Sequence, residues 1–182
     1  MARVLIPLAQ GCEELEAVTL IDLLRRAGID VVTASLDKNP VQCSRGTVLL
    51  ADTLLETVQD DDFDMIILPG GLPGADNLQQ DERIIKLLKR LHQEGKYTAA
   101  ICAAPKVLAS AGLLENRKAT SYPGSLDTEN IKRTTLTNKS VEIDGKVITS
   151  RGPGTAMDFA LQLIEQLAGK EQKTAVETAL CR

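Results

Sequence analysis

The sequence predicts an α/β fold, a flavodoxin-like, doubly wound and mostly parallel sheet with helices on both faces. Three observations carry this expectation. Short apolar runs alternate with helix-length segments along the chain, the opening strand-helix-strand unit is compact, and three strands are largely apolar runs that end at glycine, proline or cysteine loops.

Val4 to Leu8 reads as a short apolar strand, and Glu13 to Ala27 then places Leu15, Val18, Leu20, Ile21 and Leu24 at helical spacing before stopping at Gly28. Ile29 to Ala34 is the second strand. This β-α-β opening implies a parallel pair joined by a right-handed crossover. Met65 to Leu68 is a further all-apolar strand, ending in Pro69-Gly70-Gly71. Arg83 to His92 is a helix with Ile84, Ile85, Leu87, Leu88 and Leu91 inward, and Thr98 to Ile101 is a buried strand after the Glu94-Gly95 break. Pro105 to Ala111 supplies the next helix. Val141 to Ile143 and Lys146 to Ser150, separated by Asp144-Gly145, read as a hairpin or late strand pair. Thr155 to Leu167 is a long amphipathic helix, and Lys173 to Leu180 a weaker terminal one.

A length of 182 residues without an obvious linker fits a single domain over 1–182, burying roughly 70% of its unfolded surface. Aromatic residues make up only 2% of the chain, so the core must be built from Leu, Ile, Val and Ala, and stacking platforms for nucleic acid are nearly absent. Twenty-one basic and 25 acidic residues give a net charge of −4 without a basic run, so nucleic acid is not the expected primary partner. The N-terminus enters a strand without a secretory signal pattern, and no apolar run approaches a membrane span, so the expected location is cytoplasmic. Cys12, Cys43, Cys102 and Cys181 are irregularly spaced, with no CxxC pair and His92 as the sole histidine, which argues against a metal site. In a reducing compartment, a thiol with a role is catalytic or redox-sensing rather than bridged.

Ligands of such sheets bind beyond the carboxyl ends of the strands. That rule selects Ala9-Gln10-Gly11-Cys12-Glu13-Glu14, Pro69-Gly70-Gly71-Leu72-Pro73-Gly74 and Cys102-Ala103-Ala104-Pro105. The segment Ala99 to Pro105 sets Cys102 between a buried strand and a helix with only small neighbours, the requirement of a nucleophile elbow whose backbone folds close on itself. Pro105 fits the first helical turn. A sulfur at a helix N-terminus is expected to favour thiolate, with a pKa below the ordinary value of about 8.5. The alternative is that Cys102 is a small buried hydrophobe; local sequence leaves both readings open.

Six segments in order make the chain resemble the ThiJ/PfpI superfamily, most closely its parkinsonism-associated deglycase branch. They are Gly11-Cys12-Glu13-Glu14-Leu15-Glu16, Asp22 to Ile29, Pro40-Val41-Gln42-Cys43-Ser44-Arg45, Leu68-Pro69-Gly70-Gly71, Ala99-Ala100-Ile101-Cys102-Ala103, and Thr149-Ser150-Arg151-Gly152-Pro153-Gly154-Thr155. The resemblance implies that Cys102 is the nucleophile and that Glu16 lies beside its sulfur with a protonated carboxyl. It also implies an oxyanion pocket formed by the backbone N–H groups of Gly71 and Ala103. Glu13 and Gly70 fall in matched pocket segments, and Arg45 and Arg151 match positions near the pocket and a dimer contact, where they could hold an anion. Cys12 replaces the small residue common at its place and reads as a peripheral thiol; Cys181 reads as an exposed bystander. The family typically forms homodimers, with Arg25-Arg26-Ala27-Gly28 contributing to the contact.

PfpI-type peptidases carry a histidine directly after the nucleophile, to serve as the base. Here that position is Ala103, and the place of a later histidine before proline is taken by Tyr122-Pro123. Peptidase and amidotransferase chemistry are therefore disfavoured. The resemblance implies instead a cofactor-independent glyoxalase or deglycase acting on small reactive aldehydes or on early adducts of protein side chains. The rival reading uses the same Cys102 in an oxidative-stress sensor with chaperone behaviour, through oxidation to a sulfinate. A thiamine-precursor role finds no thiazole or phosphate site in the sequence.

His92 reads as a helix C-terminal residue outside the site. His92→Ala should leave methylglyoxal turnover within about threefold of the parent, as measured by steady-state kinetics; a hundredfold loss would revive a cysteine-histidine dyad.

Overall fold

The computed structural model describes residues 1–127, 131 and 133–182. The chain opens with β1 (Arg3–Leu8), α1 (Glu14–Arg26) and β2 (Asp30–Ser35), followed by the short strands β3 (Val41–Gln42), β4 (Val48–Leu49) and β5 (Thr53–Leu54). Next come α2 (Leu55–Val58), β6 (Met65–Leu68), α3 (Gly74–Gln80), α4 (Glu82–Gln93), β7 (Tyr97–Ile101) and α5 (Pro105–Ser110). The last part carries β8 (Lys118–Ala119), β9 (Thr135–Leu136), β10 (Val141–Asp144), β11 (Val147–Ser150), α6 (Ala156–Ala168) and α7 (Lys170–Ala179).

Seven strands form the main sheet in the order β10-β11-β7-β6-β1-β2-β5. Every neighbouring pair is parallel except the β10–β11 hairpin at one edge. Its five central strands follow the flavodoxin-like order, so the winding reverses between β1 and β6 and opens a crevice at their carboxyl ends. The predicted fold class is the observed one.

Strand periodicity divides the core in two. Val4, Ile6 and Leu8 of β1 face one layer with Leu20 and Leu24 of α1 and Phe159, Leu163 and Ile164 of α6. Leu5 faces the other layer, with Leu78 of α3, Leu87 and Leu91 of α4 and Leu108 of α5. Burying each such side chain stabilises the fold by about 1.5–3 kcal/mol. On α4, Ile84, Leu87, Leu88 and Leu91 are buried as expected, while Ile85 is half-buried.

Helix α1 departs from its expected pattern. Leu15 and Val18 are 50% and 46% exposed, whereas Glu16 is fully buried. The apolar period has two stripes, and the inward one, through Ala17, Leu20 and Leu24, carries a carboxyl into the protein within the first turn of the helix.

The short strands β3, β4, β5, β8 and β9 had no counterpart in the periodicity, because two residues cannot display one. The β3–β4 hairpin nevertheless matters to the site, since Gly11 N–H donates to Gln42 O at 2.7 Å and Ser44 N–H to Cys12 O at 2.8 Å.

Candidate active site

Three loops at the carboxyl edge meet almost backbone to backbone. Glu13 N–H donates to Gly70 O at 2.9 Å and Gly74 N–H to Gly11 O at 3.1 Å, joining the loops after β1 and β6. Glycine is required where they touch. A methyl group on Gly70 would lie 2.7 Å from Cys102 Cβ and 2.8 Å from Glu16 Oε2; one on Gly71, whose φ is +89°, would lie 2.4 Å from Glu13 N.

Cys102 follows β7 with φ +64°, a left-handed backbone that is strained for a residue other than glycine. The turn is held from both sides, since Cys102 N–H donates to Ser150 O at 3.0 Å and Tyr122 N–H donates to Cys102 O at 2.8 Å. This is the expected elbow, with Pro105 opening α5. Its sulfur reaches the floor of a cleft of about 440 Å³ lined by Glu13, Ser44, Arg45, Gly71, Leu72, Ala103, Tyr122, Ser125 and Pro153.

Behind Cys102 lies Glu16. Its Oε2 accepts Gly70 N–H at 2.8 Å, while Oε1 is buried without a partner of ordinary hydrogen-bond geometry. Burial pushes the Glu16 carboxyl up to about 7, against the Gly70 N–H and the Cys102 thiol, which favour its charged form. The Cys102 thiol is itself pushed up to about 12, first by burial and then by the Glu16 charge and hydrogen bond; the N–H groups of Ala103 and Gly71 act the other way.

The expected low thiol pKa is thereby corrected. Helix α5 has only six residues, and Cys102 stands three positions before Pro105, which has no N–H to offer. The dipole at that distance is weak, and desolvation wins. The two groups titrate as a pair: the first proton leaves near 7 and the second is strongly held, so the pair passes through neutral pH from uncharged to singly negative.

Of the other predicted residues, Glu13, Gly71, Ala103 and Arg45 line the cleft, and Gly70 packs against both Cys102 and Glu16. Ser44 Oγ donates to Glu13 Oε2 at 2.8 Å, while the 81% exposed Arg45 stands 3.9 Å from the same oxygen and leaves most of its guanidinium to solvent. Arg151 does not join them. Its Nη1 donates to Asn138 Oδ1 at 2.9 Å and its side chain lies outside the cleft lining. His92 is also outside, half-buried in the last turn of α4. Burial, then Arg117, lowers its pKa, so the expected helix-end stabilisation of its charged form is overridden.

Cys12 is not peripheral, being fully buried with its sulfur 3.6 Å from that of Cys43; Cys181 is exposed, as expected. Sequence reasoning missed Leu72, Ser125 and Tyr122 as lining residues. Tyr122 had a usable signal, because it replaces an expected histidine next to the turn residues Pro123-Gly124.

The fold and site define an α/β protein with a cysteine on a strained elbow, a buried carboxyl behind it and backbone N–H donors beside it. The chain belongs to the DJ-1/PfpI family, whose model matches residues 2–166. Protein DJ-1 homolog B of Arabidopsis thaliana is 46% identical over 180 residues, 98% of this chain and 41% of that protein. The chain thus spans less than half the length of that relative. A Caenorhabditis elegans relative named glutathione-independent glyoxalase DJR-1.2 is 36% identical over 184 residues, covering 99% of this chain and 95% of that one. The crystal structure of Drosophila melanogaster DJ-1beta superposes with a TM-score of 0.94 at 43% identity, covering 99% of this chain and 97% of that chain.

The raised Glu16 pKa has a stability consequence. A carboxyl whose folded pKa lies above its unfolded value stabilises the fold while protonated, and that contribution is lost as pH rises from about 4.5 through about 7. Glu16→Gln should remove this decline, on the order of 3 kcal/mol between pH 5 and pH 8, in urea denaturation curves. Parallel pH dependence in parent and variant would place the carboxyl pKa near its ordinary value.

Proposed function

We propose that this chain is a cofactor-independent glyoxalase or protein deglycase that acts on methylglyoxal, glyoxal or their early adducts on protein side chains, with Cys102 as nucleophile. The observation that carries the reading is the Cys102 thiol at the floor of an open cleft with the fully buried Glu16 carboxyl directly behind it. The relative named as a glutathione-independent glyoxalase supports the same class of chemistry.

Attack begins when the sulfur bonds to the aldehyde carbon and the C=O electron pair moves to oxygen. The N–H groups of Gly71 and Ala103, which face the sulfur, then stabilise the developing alkoxide, a type of contact worth about 3 kcal/mol per donor. The pair's remaining proton passes to that oxygen and gives a hemithioacetal. Glu16, now ionised, removes the proton from the former aldehyde carbon and returns one to the neighbouring carbonyl carbon by way of an enediol. The result is a thioester, and water cleaves it to release the hydroxy acid and the thiol. For methylglyoxal, the sum is addition of one water to give lactate. In the deglycase variant the same attack on a hemiaminal or hemithioacetal adduct frees the amine or thiol as leaving group.

Leu72 and Tyr122, 60% and 52% exposed, give the mouth apolar surfaces suited to a short alkyl chain or a protein surface. Glu13 and Arg45 oppose each other there in charge. The chain acts in the cytoplasm as a homodimer on this reading. The exposed Val18 and Leu50 support the second statement, because they share one groove between α1 and the β4 region. Arg25 and Arg26 are instead paired within the chain, to Asp52 and Asp22. The sensor reading draws on the same N–H donors, which would suit a sulfinate oxygen as well as an alkoxide.

Glu16→Gln separates the two readings. It should lower methylglyoxal turnover by at least about 100-fold, while alkylation of Cys102 by iodoacetamide and its oxidation to sulfinate persist. In the parent, kcat/KM should rise with pH along a limb centred near 7, as the pair loses its first proton. Undiminished turnover in the variant would refute the proton shuttle. Selective oxidation of a parent that turns over no aldehyde would favour the sensor.

A further inference from the structure

Cys12 and Cys43 take no part in this chemistry, yet they are buried sulfur to sulfur beside it. Their Sγ atoms are 3.6 Å apart, and closing that gap to the disulfide length of about 2.05 Å needs a shift of roughly 1.5 Å. The backbone is already joined on both sides of the pair, through Gly11 N–H to Gln42 O and Ser44 N–H to Cys12 O. Each cysteine also directly precedes residues of the cleft wall, Glu13 on one side and Ser44-Arg45 on the other.

We propose that Cys12 and Cys43 form a reversible redox pair that closes to a disulfide under hydroperoxide and thereby resets the cleft wall. Cys43 is the sulfur that meets the oxidant, since it retains 5% exposure while Cys12 has none. The contact between them favours ionisation of Cys43 and opposes that of Cys12, although burial, acting first, raises both. Cys43 sulfur attacks one peroxide oxygen, the O–O bond breaks, and the departing oxygen takes a proton to leave as water or an alcohol. The sulfenic acid so formed is attacked by Cys12 sulfur, the S–O bond breaks, and a second water leaves with the Cys12 proton. Two electrons have passed from the two sulfurs to the peroxide.

Closure reaches the nucleophile through packing. A methyl on Gly71 would lie 2.7 Å from the Cys12 carbonyl carbon, and one on Gly74 2.6 Å from Cys12 Cα. The Cys12 backbone therefore bears directly on the loop whose Gly71 N–H faces Cys102, and Glu13 N–H is bonded to Gly70 O. A displacement of Cys12 cannot be absorbed in that space and is passed to Gly70-Gly71. The effect on turnover rests on the aldehyde reading above; disulfide formation does not.

The test is peptide mapping of the intact protein after graded hydrogen peroxide, maleimide blocking, denaturation and digestion without reductant. The expected product is a Cys12–Cys43 linked peptide, two hydrogens lighter than its parts, which disappears on treatment with dithiothreitol. Recovery of both sulfurs as thiols or sulfinates at doses that oxidise Cys102 would overturn the proposal, as would linkage of either to Cys102 or Cys181. In a second arm, the dithiothreitol-recoverable share of peroxide inactivation should vanish in Cys43→Ser; unchanged recovery would overturn the regulatory half. Should that variant fail to fold, Cys12→Ser replaces it, and the map of the parent decides the chemistry without any activity measurement.

Discussion

Burial of the Glu16 carboxyl against Cys102 is the constraint around which the rest of this site is arranged. A carboxyl taken fully out of water must either find partners or hold its proton, and Glu16 has one N–H donor for two oxygens. Its neighbour on the other side is a thiol that is itself largely buried, reaching water only at the cleft floor. Neither group can readily be charged while the other is, so the pair behaves as one acid across neutral pH. A thiol on a longer, better exposed helix terminus would ionise alone and need no such partner. Here the six-residue α5 and Pro105 weaken the dipole, and in the proposed chemistry proton exchange with Glu16 takes its place.

The fold supplies what this arrangement costs. Glu16 is carried inward by α1, whose other inward residues, Leu20 and Leu24, pack on β1 and α6 in a fully apolar layer. The strained elbow at Cys102 is fixed by β11 through Ser150 O and by the segment after β8 through Tyr122 N–H. Gly70 and Gly71 let the third loop approach so closely that N–H groups, rather than side chains, face the sulfur. The winding reversal between β1 and β6 brings these loops to one edge, which is why a sheet of this order concentrates its chemistry there.

Much of this was legible before any coordinates. The strand and helix periods placed every strand of four residues or more and every helix except α2 and α3, the period of α3 being hidden by its polar Asp76-Asn77 and Gln79-Gln80. Small residues around Cys102 marked the elbow, because a close turn leaves room for nothing larger. Glu16 was legible only through family resemblance. Its local pattern, acidic in a first helical turn, is that of a solvated residue, and only the outward turn of Leu15 and Val18 distinguishes it. The thiol pKa was misjudged because a sequence displays the helix start but not the depth at which the sulfur is buried. Arg151 fell outside the cleft since its motif fixes a loop, while the partner Asn138 fixes the side chain. The contact of Cys12 with Cys43 spans 31 positions and joins the loop after β1 to the turn after the two-residue β3, a pairing to which no periodicity points.

The most direct measurement is conversion of methylglyoxal to lactate by the purified protein without added glutathione, beside Cys102→Ala, with both confirmed folded by circular dichroism. The account predicts lactate from the parent and only the uncatalysed background from the variant. Equal lactate from both, or parent turnover that appears only when glutathione is supplied, would contradict it.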